Sequence, residues 1–101
     1  DIHYSIFLQD GEFLGRVSLQ YGRCKYPEIA IVVVKKYQNQ GYGFKLLKEW
    51  CSWVHEVYGY SRLDILIDAE NEPSIRLFRK LDVKWDSKDS DVLECHIELP
   101  L

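Results

Sequence analysis

Apolar residues along this chain of 101 residues alternate with polar ones in some segments and follow a helical spacing in others. Two apolar segments, 4–9 and 12–20, predict strands on either side of Asp10-Gly11, a pair typical of tight β-hairpin turns. Residues 28–34 are apolar after their first position, which predicts a strand buried on both faces and therefore central in its sheet. Residues 41–58 carry apolar side chains at i, i+3 and i+7 and predict the longest helix.

A second strand and a second helix follow. Residues 62–69 predict a strand parallel to 28–34, because a helix crosses between the two. Asn71 is a favourable N-cap residue and Pro73 is tolerated in a first helical turn. Together they predict a short helix over residues 72–81.

The chain closes with a predicted hairpin formed by residues 83–86 and 92–99 around a polar turn at 87–91. These elements predict an α+β fold in one domain over residues 1–101. Its sheet is mixed and mostly antiparallel, with one parallel β-α-β crossover and two helices, in a three-layer-like α/β arrangement.

The helix predicted at 41–58 is apolar over more than one face and needs cover on more than one side. Trp50 and Trp53 belong to its second apolar stripe. The chain contains no methionine and begins at Asp1, so we expect that an N-terminal region is missing. That region or a partner subunit, as in a homodimer, would then cover the two tryptophans.

Composition narrows the classes of partner and compartment. The net charge of −3 and a pI near 5.6, without a basic stripe, argue against nucleic acid or an anionic membrane as partner. No apolar run approaches the ~18 residues of a membrane span, and no signal peptide is recognisable. We therefore expect a cytoplasmic protein. Its three cysteines are Cys24, Cys51 and Cys95, and their wide spacing predicts free, buried or half-buried thiols.

The turn before the longest helix carries the clearest candidate chemistry. Gln38 and the glycines Gly41 and Gly43 lie between a predicted strand and a predicted helix start. A Gly-x-Gly pair alone is more often only a tight turn. In this position, however, the amides from Asn39 to Phe44 converge at the positive end of a helix and suit a diphosphate. The Gln38 side chain can add an uncharged hydrogen bond.

Two motifs at this spacing resemble those of the GNAT acyl-CoA N-acetyltransferase superfamily. They are Gln38-x-x-Gly41-x-Gly43 and Asn71-x-x-Ser74-x-x-Leu77-Phe78-x-Lys80-Leu81. The resemblance extends from about residue 28 to 83 and is nearest the branch of ribosomal-protein N-terminal and polyamine acetyltransferases. It implies the GNAT fold without its N-terminal helices, and acetyl-CoA as cosubstrate. The implied reaction is direct attack in a ternary complex by a primary amine, either a small molecule or a protein N-terminus.

The resemblance also implies where the coenzyme lies. Strands 28–34 and 62–69 should separate at their carboxyl ends, so that the pantetheine arm pairs with the first strand and the diphosphate lies on the glycine turn. For Asn71 the alternative is a helix cap without a ligand role. The implied coenzyme contacts are Val32, Val33, Val34, Gln38, Asn39, Gln40, Gly41, Tyr42, Gly43, Phe44, Asn71, Ser74 and Phe78.

Catalytic candidates are fewer. Glu28 is the candidate general base, acting through water, and a solvated strand-end carboxylate is its alternative reading. Asp64 and Asp68 are weaker candidates. The scattered His3, His55 and His96 have no ligand spacing, so no metal site is expected.

The chain departs from the family pattern at two places. Phe78 stands where many members carry a tyrosine that protonates the leaving thiolate, and Asp82-Val83 replaces the usual Gly-Phe. The departure at Phe78 keeps a catalytically weak acyl-CoA-binding or regulatory module open as an alternative function, beside a partner-binding structural domain. Basic residues of the short helix, Arg76, Arg79 and Lys80, are either a solvated face or a contact for the coenzyme 3′-phosphate.

Overall fold

A computed structural model describes residues 1–22, 25–88 and 91–101 and contains the predicted mixed sheet and two helices. The strands are β1 (Ile2–Phe7), β2 (Phe13–Gln20), β3 (Glu28–Val33), β4 (Arg62–Asp68), β5 (Lys84–Lys88) and β6 (Val92–Glu98). The helices are α1 (Tyr42–Tyr58) and α2 (Glu72–Arg79), and a 3-10 turn (Lys35–Tyr37) follows β3.

The sheet has the strand order β1-β2-β3-β4-β6-β5. All neighbours are antiparallel except β3 and β4, which α1 connects. The predicted mostly antiparallel sheet with one parallel crossover is therefore confirmed. Gly15 on β2 is required for this pairing, because a Cβ there would lie 2.0 Å from the carbonyl oxygen of Val32 on β3.

The parallel pair β3–β4 is joined only where both strands begin. One registered pair links them, Glu28 with Asp64, and the amide of Asp64 donates to the Pro27 carbonyl at 2.8 Å. No further pair is registered between these strands in the part of the chain described. The strands therefore diverge towards their carboxyl ends, as predicted, and leave a gap that is closed at Glu28–Asp64.

The two faces of the sheet differ in chemistry. Alternation along β4 directs Leu63, Ile65 and Ile67 to one face, where they form a single core with the buried side chains of α1 and α2. Asp64 points to the opposite face together with His96 of β6, its partner in register. Among the described residues no helix packs on this second face.

Trp50 does not need an additional partner for cover. Only 6% of it is exposed, its indole N–H donates to the Ser18 carbonyl at 3.3 Å, and its ring meets the edge of Tyr4. The expectation that Trp50 is covered from outside these residues was wrong, because β1 supplies Tyr4. Trp53 stacks on Trp50 and remains 36% exposed.

Several element boundaries differ from the prediction. β1 begins at Ile2, β3 ends at Val33, and an unpredicted 3-10 turn begins at Lys35. Ser87 and Lys88, expected in a turn, extend β5, because a bulge after Trp85 lets them pair with β6. The rest of that turn, residues 89–90, lies outside the described residues, as does Cys24. No described helix is long and apolar enough to cross a membrane.

Candidate functional site

A cleft of about 440 Å³ opens where β3 and β4 have separated. The start of α1 forms one wall and α2 forms the other. The lining residues are Ile31, Val32, Val33, Gln38, Asn39, Gly41, Gly43, Phe44, Asn71, Pro73, Ser74, Arg76, Leu77 and Lys80.

Nine of the thirteen residues expected at the coenzyme line this cleft: Val32, Val33, Gln38, Asn39, Gly41, Gly43, Phe44, Asn71 and Ser74. Four do not line it, namely Val34, Gln40, Tyr42 and Phe78. The five other lining residues are Ile31, Pro73, Arg76, Leu77 and Lys80, of which Arg76 and Lys80 had been predicted, as one of two alternatives, to contact the coenzyme 3′-phosphate. All but the first lie on α2 or its C-cap at intervals of three and four, so helical spacing counted from Pro73 would have found them.

The turn before α1 exposes backbone amides to the cleft. Asn39 and Gly41 both have positive φ, 61° and 86°, and the residues from Gln38 to Gly41 are exposed to solvent. The first helical hydrogen bond runs from the Lys45 amide to the Gly41 carbonyl at 3.2 Å. No side chain of the described residues caps this helix start. The amides of residues 42–44 therefore have no hydrogen-bond acceptor within the helix, and they lie at the positive end of the helix dipole.

Gln38 has a structural use that differs from the expected one. Its Nε2 donates to the Val33 carbonyl at 2.9 Å and fastens the turn to the end of β3. Gln40 similarly donates to the Lys36 carbonyl at 2.9 Å. This internal bond uses one of the two N–H groups of the Gln38 side chain, so the second N–H and the side-chain carbonyl oxygen remain for the expected hydrogen bond to a ligand.

The backbone of β3 offers fewer groups to the gap than expected. The Val34 amide donates to the Leu14 carbonyl at 2.9 Å, so Val34 is turned towards β2. Because antiparallel pairs alternate, Val32 is also turned towards β2, whereas Ile31 and Val33 direct their amides towards the gap. Of the expected Val32, Val33 and Val34, only Val33 has this orientation. Ile31 was missed because backbone direction depends on register, which one strand sequence does not reveal.

The start of α2 is capped by the side chain of Asn71. The Asn71 Oδ1 accepts a hydrogen bond from the Ser74 amide at 3.3 Å, which confirms the predicted N-cap. The side-chain NH₂ of Asn71 is not used in that bond. Phe78 does not line the cleft. Its side chain packs in the core with only 3% exposed, and it carries no hydroxyl.

Glu28 is buried rather than solvated, with 3% exposed, so the alternative reading of a solvent-facing carboxylate was wrong. It lies at the closed end of the gap, opposite Asp64. The two weaker candidates already have local partners. Asp64 pairs with the Arg62 Nε at 3.1 Å, and exposed Asp68 accepts from the Glu70 amide at 3.0 Å.

Two buried thiols, Cys51 on α1 and Cys95 on β6, contribute no nucleophile. Burial raises the pKa of Cys51 to about 12 and that of Cys95 to about 12, with the nearby carboxylates Asp86 and Asp64 adding to the second shift. Both thiols are therefore neutral at physiological pH. The described residues contain no group of three or more His, Cys, Asp or Glu side chains placed to hold a metal ion.

A family model of the acetyltransferase (GNAT) domain matches residues 1–84. The chain therefore belongs to the GNAT acetyltransferase family, whose members use acetyl-CoA as cosubstrate. A search of curated protein sequences finds no significant match.

Solved structures of the same fold include an acetyltransferase of the GNAT family from Bacillus anthracis, with a TM-score of 0.83, 18% identity and 95% of this chain covered. A spermidine N-acetyltransferase from Vibrio cholerae, in complex with CoA and spermine, matches with a TM-score of 0.81 and 13% identity over 95% of this chain. A Vibrio cholerae protein assigned as a ribosomal-protein-serine acetyltransferase matches with a TM-score of 0.81 and 19% identity over 95% of this chain. The chain spans 65%, 64% and 63% of these proteins respectively.

Proposed function

We propose that this protein is an acetyl-CoA-dependent N-acetyltransferase that acetylates a primary amine, on a small molecule or at a protein N-terminus. The observation that carries the proposal is the continuity of the gap between β3 and β4 with the start of α1. Acetyl-CoA needs a strand edge that can pair with the amides of its pantetheine arm, and it needs N–H donors for its diphosphate. The cleft contains both, because the edge of β3 leads directly to the start of α1.

In this proposal the diphosphate lies on the amides of residues 42–44, beside Gly41. Each contact with a helix end is worth only ~0.3–1 kcal/mol, so several must act together. Arg76 and Lys80 line the same cleft and add positive charge from the α2 side. A Cβ added at Gly43 would lie 3.5 Å from a Leu77 methyl group, at ordinary contact distance, so a side chain there would occupy space between α1 and α2 that glycine leaves open.

The pantetheine arm would run along β3 and meet the amides of Ile31 and Val33 as an added strand would. That placement directs the thioester towards the closed end at Glu28–Asp64. Holding amine and thioester together accelerates the reaction by proximity, and a strand N–H can polarise the carbonyl. Glu28 is the candidate for receiving the amine proton through water, a task typically worth ~10²–10⁴-fold in rate.

Isothermal titration with acetyl-CoA tests the coenzyme part of the proposal. We expect one site with a dissociation constant below about 1 mM. Release of CoA is then followed over a panel of primary amines and N-terminal peptides at saturating acetyl-CoA. Absence of acetyl-CoA binding would remove the proposal as a whole.

Phe78 favours a second candidate, a coenzyme-binding module with slow or no turnover. Its ring is buried in the core and cannot protonate a leaving thiolate. This candidate predicts acetyl-CoA binding without measurable CoA release over the amine panel. If the missing proton donor limits turnover, Phe78→Tyr raises the rate, whereas a pure binding module stays inactive.

A further inference from the structure

The charged side chains that line the cleft, among the residues described, are both basic. Arg76 and Lys80 carry these charges, and none of the described lining residues is a carboxylate. Lys80 follows Arg76 by four residues and is the C-cap of α2. Side chains four residues apart lie on the same side of a helix. One side of α2 therefore presents two cations to the cleft.

Neither cation is neutralised by an ion pair within the part of the chain that the structure describes. Both side chains are exposed, and Glu72, one helical turn before Arg76, forms no ion pair with it. The sheet shows the contrasting case, since Lys84 Nζ binds the Glu98 carboxylate at 3.1 Å. Two cations without a counterion on one wall of a cleft favour the binding of an anion there.

The two cations are next to the point where α2 meets the start of α1. A Cβ added at Gly43 would lie 3.5 Å from a methyl group of Leu77. Leu77 directly follows Arg76 and precedes Lys80 by three residues. The amides of residues 42–44, proposed above to bind the diphosphate, therefore lie close to the helix turn that carries both cations.

The coenzyme has a further anion besides its diphosphate. Its ribose is joined to the diphosphate through the 5′ position and bears a phosphomonoester at the 3′ position. A phosphomonoester carries about −1.5 to −2 charges at neutral pH. The start of a helix supplies only about half a positive charge, and at α1 this is assigned to the diphosphate. The 3′-phosphate therefore needs cations from elsewhere, and the cleft wall of α2 supplies two.

We propose that Arg76 and Lys80 bind the 3′-phosphate of the coenzyme and select CoA thioesters over thioesters that lack this phosphate. The proposal rests on the acetyltransferase function proposed above and extends its coenzyme site to the adenosine half. The planar guanidinium of Arg76 can bind two phosphate oxygens at once, and Lys80 adds a compact positive charge. The other basic residue of this helix, Arg79, is exposed but does not line the cleft, so it belongs to the solvated face.

The diphosphate itself is the alternative partner for these two cations. Acetyl-dephospho-CoA distinguishes the alternatives, because it keeps the thioester, the pantetheine arm, the diphosphate and the adenine and lacks only the 3′-phosphate. A cation that binds the diphosphate contributes to the affinity of both ligands. A cation that binds the 3′-phosphate contributes to the affinity of acetyl-CoA alone.

Calorimetric titrations with acetyl-CoA and with acetyl-dephospho-CoA test the proposal. We expect the unmodified protein to bind acetyl-CoA about tenfold more tightly, since two exposed ion pairs of about threefold each combine to this ratio. Arg76→Gln and Lys80→Gln should each lower the ratio about threefold, and the double variant should abolish it. Affinity for acetyl-dephospho-CoA should stay within about twofold in every variant, because salt screens exposed charges that are not in contact.

Arg79→Gln is the matched control. It removes the same charge from the same helix at an exposed position outside the cleft lining, and glutamine has a helix propensity similar to that of arginine. We expect the ratio of the two affinities to remain that of the unmodified protein. A ratio lowered as much in Arg79→Gln as in Arg76→Gln would overturn the assignment, because the general field of α2 would then explain the preference.

The titrations also separate this inference from the proposed function. Equal affinity of the unmodified protein for both ligands would overturn the inference and leave the acetyltransferase proposal standing. Equal losses of both ligands in Arg76→Gln and Lys80→Gln would assign the cations to the diphosphate and overturn it as well. Failure of the unmodified protein to bind either ligand would instead refute the proposed function, and the inference with it.

Discussion

The two helices begin in opposite ways, although each follows a strand of the same parallel pair. At α2 the Asn71 side chain accepts a hydrogen bond from the Ser74 amide and so satisfies part of the helix start from within the chain. At α1 the N-cap residue is Gly41, and no described side chain caps the first turn. Both starts border the same cleft.

This difference distinguishes a helix start whose amides are capped by the chain itself, at α2, from one whose amides are available to a ligand, at α1. Helix starts leave up to four amides without a helical partner, and those amides require a side chain, water or a ligand. Asn71 provides the side chain at α2. At α1 the chain instead uses Gly41 with φ of 86°, which leads the backbone into the helix without adding a side chain near the amides. The open start is therefore the candidate diphosphate site.

The largest effect is expected from placing a negative charge at the open start. Gly41→Asp puts a carboxylate beside the amides of residues 42–44, where it repels the diphosphate. A charge pair at contact distance is worth several kcal/mol near a protein surface, so we expect acetyl-CoA affinity to fall on the order of 100-fold. Calorimetric titration measures the change.

Two variants serve as controls for this effect. Gly41→Asn has the same shape without the charge, and both residues tolerate positive φ better than other side chains. Gly59→Asn introduces the same backbone strain at the other end of α1, where φ is 75°. Equal loss of affinity in Gly41→Asp and Gly41→Asn would contradict repulsion as the cause.

A smaller effect is expected from separating the two roles of Asn71. Asn71→Ser keeps a good N-cap and removes the side-chain NH₂, so stability should be nearly unchanged. If that NH₂ donates to the pantetheine arm, acetyl-CoA affinity falls about fivefold, the value of one hydrogen bond near 1 kcal/mol. Asn71→Ala also loses the cap and should cost about 1 kcal/mol of unfolding free energy. A wild-type affinity in Asn71→Ser would show that the residue is only a cap.

The sequence predicted the parts of the site that depend on local chemistry. Asn71 and the glycine turn were found because capping and positive φ restrict residue types. The internal bond from Gln38 to the Val33 carbonyl could not be predicted, because it depends on the unpredicted 3-10 turn between them. Ile31 was missed for a similar reason, since strand register decides which amides face the gap.

Burial was harder to predict than secondary structure. Glu28 was interpreted either as a general base or as a solvated carboxylate at a strand end, and its burial depends on the two strands beside β3, namely β2 and β4, which meet it only in the folded sheet. Trp50 was expected to need outside cover because the position of Tyr4 over α1 depends on the pairing of β1 with β2. Long-range pairing therefore accounts for most of what sequence reasoning missed.

The smallest effect at neutral pH is expected for the reactivity of Cys51, which is buried in the middle of α1, in contrast to the exposed start of that helix. Burial raises the pKa of Cys51, and that of Cys95 on the sheet, to about 12 in each case, from the ordinary value of 9.0. Both thiols should therefore resist iodoacetamide in the native protein at pH 8, as judged by peptide mapping. In the unfolded chain they ionise first, so stability should be complete below pH 9 and should decrease as the pH rises from 9 towards 12. Rapid native alkylation of Cys51 would show that this helix is not closed.

The most direct test of the coenzyme site follows individual backbone amides by NMR during titration with acetyl-CoA. We expect the largest shifts at Tyr42, Gly43 and Phe44 and along the gap at Ile31 and Val33, with smaller shifts at the same helix amides when pantetheine without the diphosphate is used. Saturable shifts confined to other parts of the protein, with these amides unchanged, would contradict the account.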